Sequence, residues 1–282
     1  MSGVSMSEEL TQSRDTNRSP QVEIAAASAR AGADIANEQF RTELDVEYKS
    51  GKTDAVTRAD RHAQEAVIEC IRSHDPDATV VGEENDAPSA VPEEGTVWVV
   101  DPIDGTNNYV RGNRYWATSV ACLVDGTPVA AANIMPALGD SYVGSPVGVT
   151  LNGEPVSVST RSDPERFAVV PTIWWALDSR EEYAAVTEAI VTRFGDLRRS
   201  GSAQTSLSLL ASGRYDGVLT TVGAPAWDTV AGAALVRWAG GTVTDLDGGA
   251  WHYDTPGLVA SNGQAHGQLL AAVRDVERTL ED

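Results

Sequence analysis

The sequence predicts an α/β protein built in layers, with sheets sandwiched between helices. Segments with helical spacing of apolar residues alternate with short β-branched runs along nearly the whole chain. The first half gathers its strands around two hairpin signals, Asp125-Gly126 and Asn152-Gly153. The second half instead alternates strand and helix almost one for one. No internal repeat and no separating linker interrupts this pattern. The expected organisation is a disordered tail over residues 1–20 and one domain over 21–282, made of two packed halves, about 21–160 and 161–282.

Met1 to about Pro20 is rich in Ser, Thr, Asn, Glu and Gln and poor in large apolar residues, hence the expected tail. Gln21 to about Leu44 carries Val22, Ile24, Ala25, Ala29, Ala33, Ile35, Ala36 and Phe40, an Ala-rich helix that polar Glu47 to Gly51 breaks. A second helix is expected from Ala55 to Ser73, with Val67, Ile68 and Ile71 buried. Thr79 to Gly82 reads as a strand closed by Glu83 and Glu84. Trp116 to Val124, Pro128 to Ile134 and Ser141 to Gly144 read as sheet strands, and Val156 and Val158 after Asn152-Gly153 suggest another hairpin edge. Beyond these come a strand Phe167 to Pro171, a helix Arg180 to Phe194, a helix Ser202 to Ser212 and a strand Gly217 to Thr220. A helix Ala226 to Ala239 ends at Gly240-Gly241. Strands near Thr242 to Thr244 and Leu258 to Ala260 precede a last helix, Gln264 to Thr279.

The chain has 282 residues, 41% of them hydrophobic, which is ordinary, but its charge is not. Asp plus Glu outnumber Lys plus Arg 41 to 21, a formal net charge of −20, and the acids are spread along the chain. Such a field repels nucleic acid and anionic membrane, so neither is expected as a partner. It suits a protein adapted to high salt, where screening removes most of the self-repulsion. Cys70 and Cys122 form no CxxC and read as buried thiols in a reducing compartment. There is no apolar stretch of membrane-spanning length and no signal-type apolar core, so the expected location is the cytoplasm. The four histidines, His62, His74, His252 and His266, are not spaced as metal-ligand pairs.

Chemistry concentrates in Trp98 to Gly112, WVVDPIDGTNNYVRG. A strand ending at Asp101 presents a carboxylate, and Pro102, which has no N–H, is expected to end the ladder. Asp104 follows on the same turn. Gly105 allows close backbone approach to a ligand, and Thr106 adds a hydroxyl. Two carboxylates on one tight turn repel each other unless a hard, oxygen-binding cation such as Mg²⁺ holds them together. A helix starting near Asp104 to Asn107 would aim free N–H groups at the same point and favour a phosphate.

The string DPIDGTNNYVRG resembles the first metal-binding signature of the inositol monophosphatase family, Mg²⁺-dependent sugar and polyol phosphatases. Three further segments resemble that family in the expected order: Thr53-Asp54-Ala55-Val56-Thr57 with Asp60 (D-x-V-T-x-x-D), Val81-Gly82-Glu83-Glu84 (G-E-E), and Trp227-Asp228-Thr229-Val230-Ala231-Gly232 (W-D-x-x-A-G). Taken singly, these are a helix cap, a solvated acidic pair, and a cap beside a core tryptophan. In the family's order they cover nearly the whole chain after about residue 20. The resemblance implies an α-β-α-β-α sandwich of the inositol monophosphatase and fructose-1,6-bisphosphatase type and, with the acidic composition, an archaeal, halophile-like member.

It also implies a site. Asp101 would bridge two Mg²⁺ ions, with Glu83 and the Ile103 carbonyl completing one position, Asp104 and Asp228 the second, and a looser third ion near Glu83. Thr106, hydrogen-bonded to Asp54, would orient and deprotonate the attacking water, and the N–H groups of Gly105 and Thr106 would hold the phosphate. Gly201, Ser202 and Ala203 resemble the segment that touches the sugar hydroxyls. Paired metals activate water and stabilise both oxygens of an in-line phosphoryl displacement, so no His or Cys nucleophile is needed. Inositol-specific relatives carry an acidic polyol contact a few residues ahead of the second signature's Asp. Here that place falls at Thr220 or Thr221. The implied reaction is hydrolysis of a small phosphate monoester, inositol 1-phosphate first and fructose 1,6-bisphosphate next. A nucleotide 3′-phosphatase, whose signature resembles DPLDGTKEF, ranks below these, as does a non-catalytic metal- or phosphate-binding sensor. Family members are commonly homodimers. Core packing is expected of Trp174-Trp175.

Overall fold

A computed structural model describes residues 19–43, 46–48, 55–84, 88, 90–173 and 175–281. The expected tail lies outside the described residues except for Ser19 and Pro20. Asp54 and Trp174 lie outside them as well.

Helix α1 (Pro20–Gln39) opens with a proline in its first turn, where a missing N–H costs nothing, and it buries Val22, Ala25, Ala29, Ala33 and Ala36. Its small residues admit α2 (Arg58–His74) closely: a β-carbon on Gly32 would stand 2.5 Å from a Val67 methyl. The helix stops at Gln39 rather than near Leu44 because Phe40 turns into extended backbone. There its ring packs 5.4 Å from both Tyr109 and Trp116. Ahead of α2, β1 (Val46–Tyr48) and β2 (Ala55–Thr57) pair antiparallel, which the polar composition did not reveal. Thr57 then caps α2. The Thr57 hydroxyl and N–H both donate to Asp60 Oδ2 at 2.7 Å, a capping box that starts the helix at Arg58 instead of Ala55.

A seven-stranded sheet runs in sequence order from β3 (Thr79–Gly82) through β4 (Thr96–Asp104), β5 (Ala117–Val124), β6 (Thr127–Met135), β7 (Asp140–Ser145) and β8 (Gly148–Leu151) to β9 (Glu154–Val156). Only β3 and β4 pair in parallel. Alternate residues of β4 face opposite ways: Trp98 and Val100 pack on α1 and α2, whereas Val97 and Val99 pack on the interior helix pair α5 (Ala203–Ala211) and α6 (Ala226–Trp238).

The second sheet has five strands in the order β11 (Asp196–Leu197), β10 (Ala168–Pro171), β12 (Gly217–Thr220), β14 (Leu258–Ser261), β13 (Thr242–Thr244). Val170 and Val218 face α5 and α6. Val169, Leu219 and Val259 face an outer pair, α4 (Arg180–Val191) and α7 (His266–Glu281). The layers are therefore α-β-α-β-α, as expected. Trp175 is buried in the outer core, Cys122 is buried, and Cys70 is only half-buried; both thiols are free.

The middle helix layer joins the two sheets. Every residue of α5 is buried, so its polar side chains need internal partners. Gln204 accepts the Gly232 N–H (2.8 Å) and Asn133 Nδ2 (3.0 Å), and its own Nε2 donates to the Trp227 carbonyl at 2.6 Å. One side chain thus ties α5 to α6 and to β6. Buried Asp216 anchors the segment connecting the two sheets, accepting from Ser159 Oγ (2.5 Å), Arg161 Nε (2.9 Å) and the Ala168 N–H (3.0 Å). Among the described residues no helix is long and apolar enough to cross a membrane.

Candidate metal and phosphate centre

Strand β4 carries two of the carboxylates, and Pro102 does not end it. Pairing with β5 continues to Asp104 opposite Ala117, with an irregular register between Asp101 and Asp104. A proline is tolerated in such a bulge because the ladder is already broken there. The irregularity has a consequence for the site. In a regular strand, positions three apart point to opposite faces. Here the shift lets Asp101 and Asp104 converge, and Asp228, in the first turn of α6, joins them. One oxygen from each of the three lies within 4.8 Å of the other two.

Asp101 and Asp104 are buried, and Asp228 is half-buried. Burial pushes the Asp101 carboxyl well above the usual range, and the charges of Glu83, Asp104, Asp228 and Asp60 all push it the same way. Asp101 Oδ1 has no hydrogen-bond partner among the described residues. A buried carboxylate oxygen without a donor, ringed by acids, is a group that a cation would complete. The donor set is all oxygen, which suits Mg²⁺, and Asp101, Asp104 and Asp228 would hold it. Glu83, at the end of β3, stands close enough to act on Asp101 electrostatically, although its oxygens are not among the converging three.

Asp104 has a different environment. Its carboxylate accepts the Ser202 hydroxyl, the Ala203 N–H (3.1 Å) and the Gln204 N–H (2.7 Å), at the start of α5. Burial raises its pKa to about 6, and these donors pull against that rise. The segment Gly201, Ser202 and Ala203, expected to touch sugar hydroxyls, lies against Asp104, and Ser202 and Ala203 spend their donors on that carboxylate.

Gly105 adopts φ +92°, a left-handed conformation that favours glycine, and initiates α3 (Thr106–Val110) within the expected window. A β-carbon there would stand 3.0 Å from both Ser202 Cβ and the Tyr115 carbonyl, so this turn packs directly on the turn before α5. Asn108 fastens the two turns, its Nδ2 donating to the Ser200 (2.7 Å) and Tyr115 (2.6 Å) carbonyls. N–H groups at the start of a helix lack intrahelical partners, which leaves those of Gly105 and Thr106 suited to a phosphate oxygen.

The Thr106 hydroxyl lies 3.0 Å from the Ile103 carbonyl and 3.2 Å from Asp60 Oδ1. The expected acidic partner was Asp54, which lies outside the described residues. The partner within them is Asp60, the last acid of the same motif. Burial raises Asp60 to about 6, opposed by its bonds from Thr57 and reinforced by the charge of Glu84. The capping box T-x-x-D was a readable signal for this residue, because it fixes the Asp60 side chain at the start of α2. Gln64, one turn on, also shapes the site: its Oε1 accepts the Glu84 N–H at 2.9 Å and its Nε2 donates to the Glu84 carbonyl, setting the end of β3. Buried glutamines have no local sequence signature.

Thr220 is buried and closes on the backbone of Val222. The Thr221 hydroxyl donates to Glu182, in the first turn of α4, and accepts from Trp175 Nε1 at 3.3 Å. An acid therefore stands against Thr221, contributed from another part of the chain.

Acids and a hydroxyl gathered at strand ends and helix starts of a layered sandwich make a candidate divalent-cation centre. Residues 17–278 match the model of the inositol monophosphatase family, and the chain belongs to that family. Among curated proteins it is 31% identical to the Nus factor SuhB of Salmonella typhimurium over 259 residues, 91% of this chain and 96% of that protein. The Escherichia coli K12 protein of the same name is 30% identical over the same coverage. Among solved structures it resembles an IMPase from Thermotoga maritima (TM-score 0.80, 26% identity, 96% of this chain and 98% of that one). It also resembles an inositol monophosphatase from Anabaena (TM-score 0.79, 29% identity, 90% and 94%). The chain is thus a phosphatase of this family, whose members act on small phosphate esters.

Proposed function

We propose that this protein is a Mg²⁺-dependent phosphomonoesterase that hydrolyses a small polyol or sugar phosphate, with inositol 1-phosphate as the leading substrate. The observation that carries this reading is the convergence of one carboxylate oxygen each from Asp101, Asp104 and Asp228 within 4.8 Å, with Asp101 Oδ1 buried and without a donor among the described residues. When bound, Mg²⁺ supplies a lowered water pKa and charge stabilisation for the oxygens of the displacement, with two or three ions per subunit in the reading implied by the family resemblance. Thr106, whose hydroxyl proton is shared between the Ile103 carbonyl and Asp60, keeps its lone pairs to accept from a water and orient it, and Asp60 takes up the proton through that hydroxyl. The amides of Gly105 and Thr106 receive the phosphate.

The carboxylate of Glu182 against Thr221 supports a hydroxylated leaving group, since an acid there can accept from a polyol. Fructose 1,6-bisphosphate is the second reading, favoured by the lack of an acid at Thr220 and Thr221 themselves. A cytoplasmic location, a homodimeric assembly and growth at high salt belong to the same proposal. The curated relatives carry the name Nus factor, but a net charge of −20 argues against direct nucleic-acid contact by this chain.

The test is phosphate release in Mg²⁺ and high KCl from inositol 1-phosphate, fructose 1,6-bisphosphate, glycerol 2-phosphate and 3′-phosphoadenosine 5′-phosphate. Rapid turnover of inositol 1-phosphate, abolished by EDTA, is expected. Silence across the panel with Mg²⁺ still bound would replace the enzyme by a sensor.

A further inference from the structure

Asp104 is held by three donors that lie 98 to 100 residues further along the chain: the Ser202 hydroxyl, the Ala203 N–H and the Gln204 N–H. All sit at the start of α5, which is buried along its whole length. Ser202 is 3% exposed and Asp104 7%, so water does not compete for these bonds. The same Ser202 oxygen accepts the Thr205 N–H at 3.1 Å, which makes it the cap of α5 as well as a donor to Asp104. A carboxylate offers about four lone-pair directions. The start of α5 takes most of them, while one Asp104 oxygen lies within 4.8 Å of oxygens on Asp101 and Asp228.

We propose that Ser202 is a positioning residue for the metal centre, holding Asp104 in its ligating orientation before any cation binds, and is not a contact for the substrate's hydroxyl groups. The inference rests on the metal-dependent reading above and deepens it. Asp104 comes from the seven-stranded sheet, and Asp228 from the first turn of α6, in the interior helix layer. Left to itself, a buried Asp104 would swing away from Asp101 and Asp228 to reduce repulsion. A hydroxyl and two amides aimed at it oppose that motion and neutralise part of its charge. Asp101 keeps an oxygen without a donor, whereas Asp104 is almost saturated, so the two ligands are prepared in different ways. Preorganisation of this kind appears as cation affinity, because the ordering is complete before binding.

The test compares Ser202→Ala and Ser202→Gly with the parent in the full-length protein, using Mg²⁺ titration calorimetry without substrate and steady-state kinetics at saturating Mg²⁺. Both variants lose the hydroxyl bond to Asp104, but glycine is a far better helix cap than alanine, so α5 is disturbed less in Ser202→Gly. Mg²⁺ affinity is expected to fall about tenfold in both variants, the scale of one hydrogen bond to a charged group, with KM for the substrate within about twofold of the parent. Ser202→Thr, which keeps the hydroxyl, should restore the affinity. Unchanged Mg²⁺ affinity with a KM raised about tenfold would make Ser202 a substrate contact and overturn the inference. A loss seen in Ser202→Ala but absent from Ser202→Gly would reduce its role to capping and overturn it too. A parent protein that binds no divalent cation would overturn the metal-dependent reading itself, an outcome separate from the other two.

Discussion

Thr106 Oγ1 stands 3.2 Å from Asp60 Oδ1, although 46 residues separate them in the chain. The bond joins the start of α3 to the start of α2, and it gives the threonine a buried acceptor for its proton. Thr106→Ala should therefore lower kcat by about a hundredfold or more, the usual scale for a positioned proton acceptor, and leave Mg²⁺ affinity nearly intact. Asp60→Asn should do likewise. Kinetics beside calorimetry would check this. A defect mainly in metal affinity would remove the water-orienting role, and a larger loss from Asp54→Asn than from Asp60→Asn would return that role to Asp54.

Asp101→Asn should abolish most turnover, by about a hundred- to a thousandfold, because it removes a buried carboxylate that has an oxygen without a donor and stands in the converging acidic cluster. The same substitution removes a charge that every neighbouring acid opposes. In EDTA it should raise Tm, by roughly 2–4 °C for each kcal/mol recovered at this chain length. Thermal melts of both proteins, with and without Mg²⁺, would check both halves of the prediction.

The metal-free protein should respond to pH in the opposite sense to ordinary acid denaturation. Asp60 and Asp104 are each raised from 3.8 to about 6 in the folded state, burial being the main cause. A raised carboxyl binds its proton more tightly when folded, so its contribution to stability is complete below 3.8 and is lost as pH rises through about 6. In EDTA, Tm should fall between pH 5 and pH 7.5. Mg²⁺, which binds the ionised form, should restore it at pH 7.5, by about 2.7 kcal/mol at a hundred times the dissociation constant. Loss of that difference in a protein still binding Mg²⁺ elsewhere would detach these residues from the centre.

Gly232→Ala should destabilise the fold by about 1–3 kcal/mol through overpacking. The added carbon would stand 2.5 Å from Leu207 Cβ and 2.8 Å from Gln204 Oε1, in the interface that aligns α5 with α6. Because Asp104 leans on one helix and Asp228 belongs to the other, Mg²⁺ affinity should fall as well. Urea unfolding and Mg²⁺ titration would read the two effects.

A net charge of −20 should make stability rise with salt. Tm measured from about 0.1 M to 2 M KCl is expected to climb, most steeply where screening is still incomplete. A flat profile would remove salt adaptation from the functional reading.

Much of this protein was legible along the chain. Alternating periodicities set the layered α/β class and nearly every strand and helix, because each depends on spacing within a few residues. Asp101, Asp104, Gly105 and Thr106 were also readable, since turn geometry and ligand chemistry restrict those places to few residue types, whereas Asp228 was readable only through the family resemblance. Tertiary structure decided the rest. Phe40 ends α1 to meet Tyr109 and Trp116. A register shift, not a strand end at Pro102, brings Asp101 and Asp104 together. Gln64 and Gln204 act on backbone groups 20 or more residues away, and Ser202 serves Asp104 from the far half of the chain. Local spacing encodes which side chains share a face. Which distant donor reaches a buried carboxylate depends on how the layers close, and only the packed core sets that.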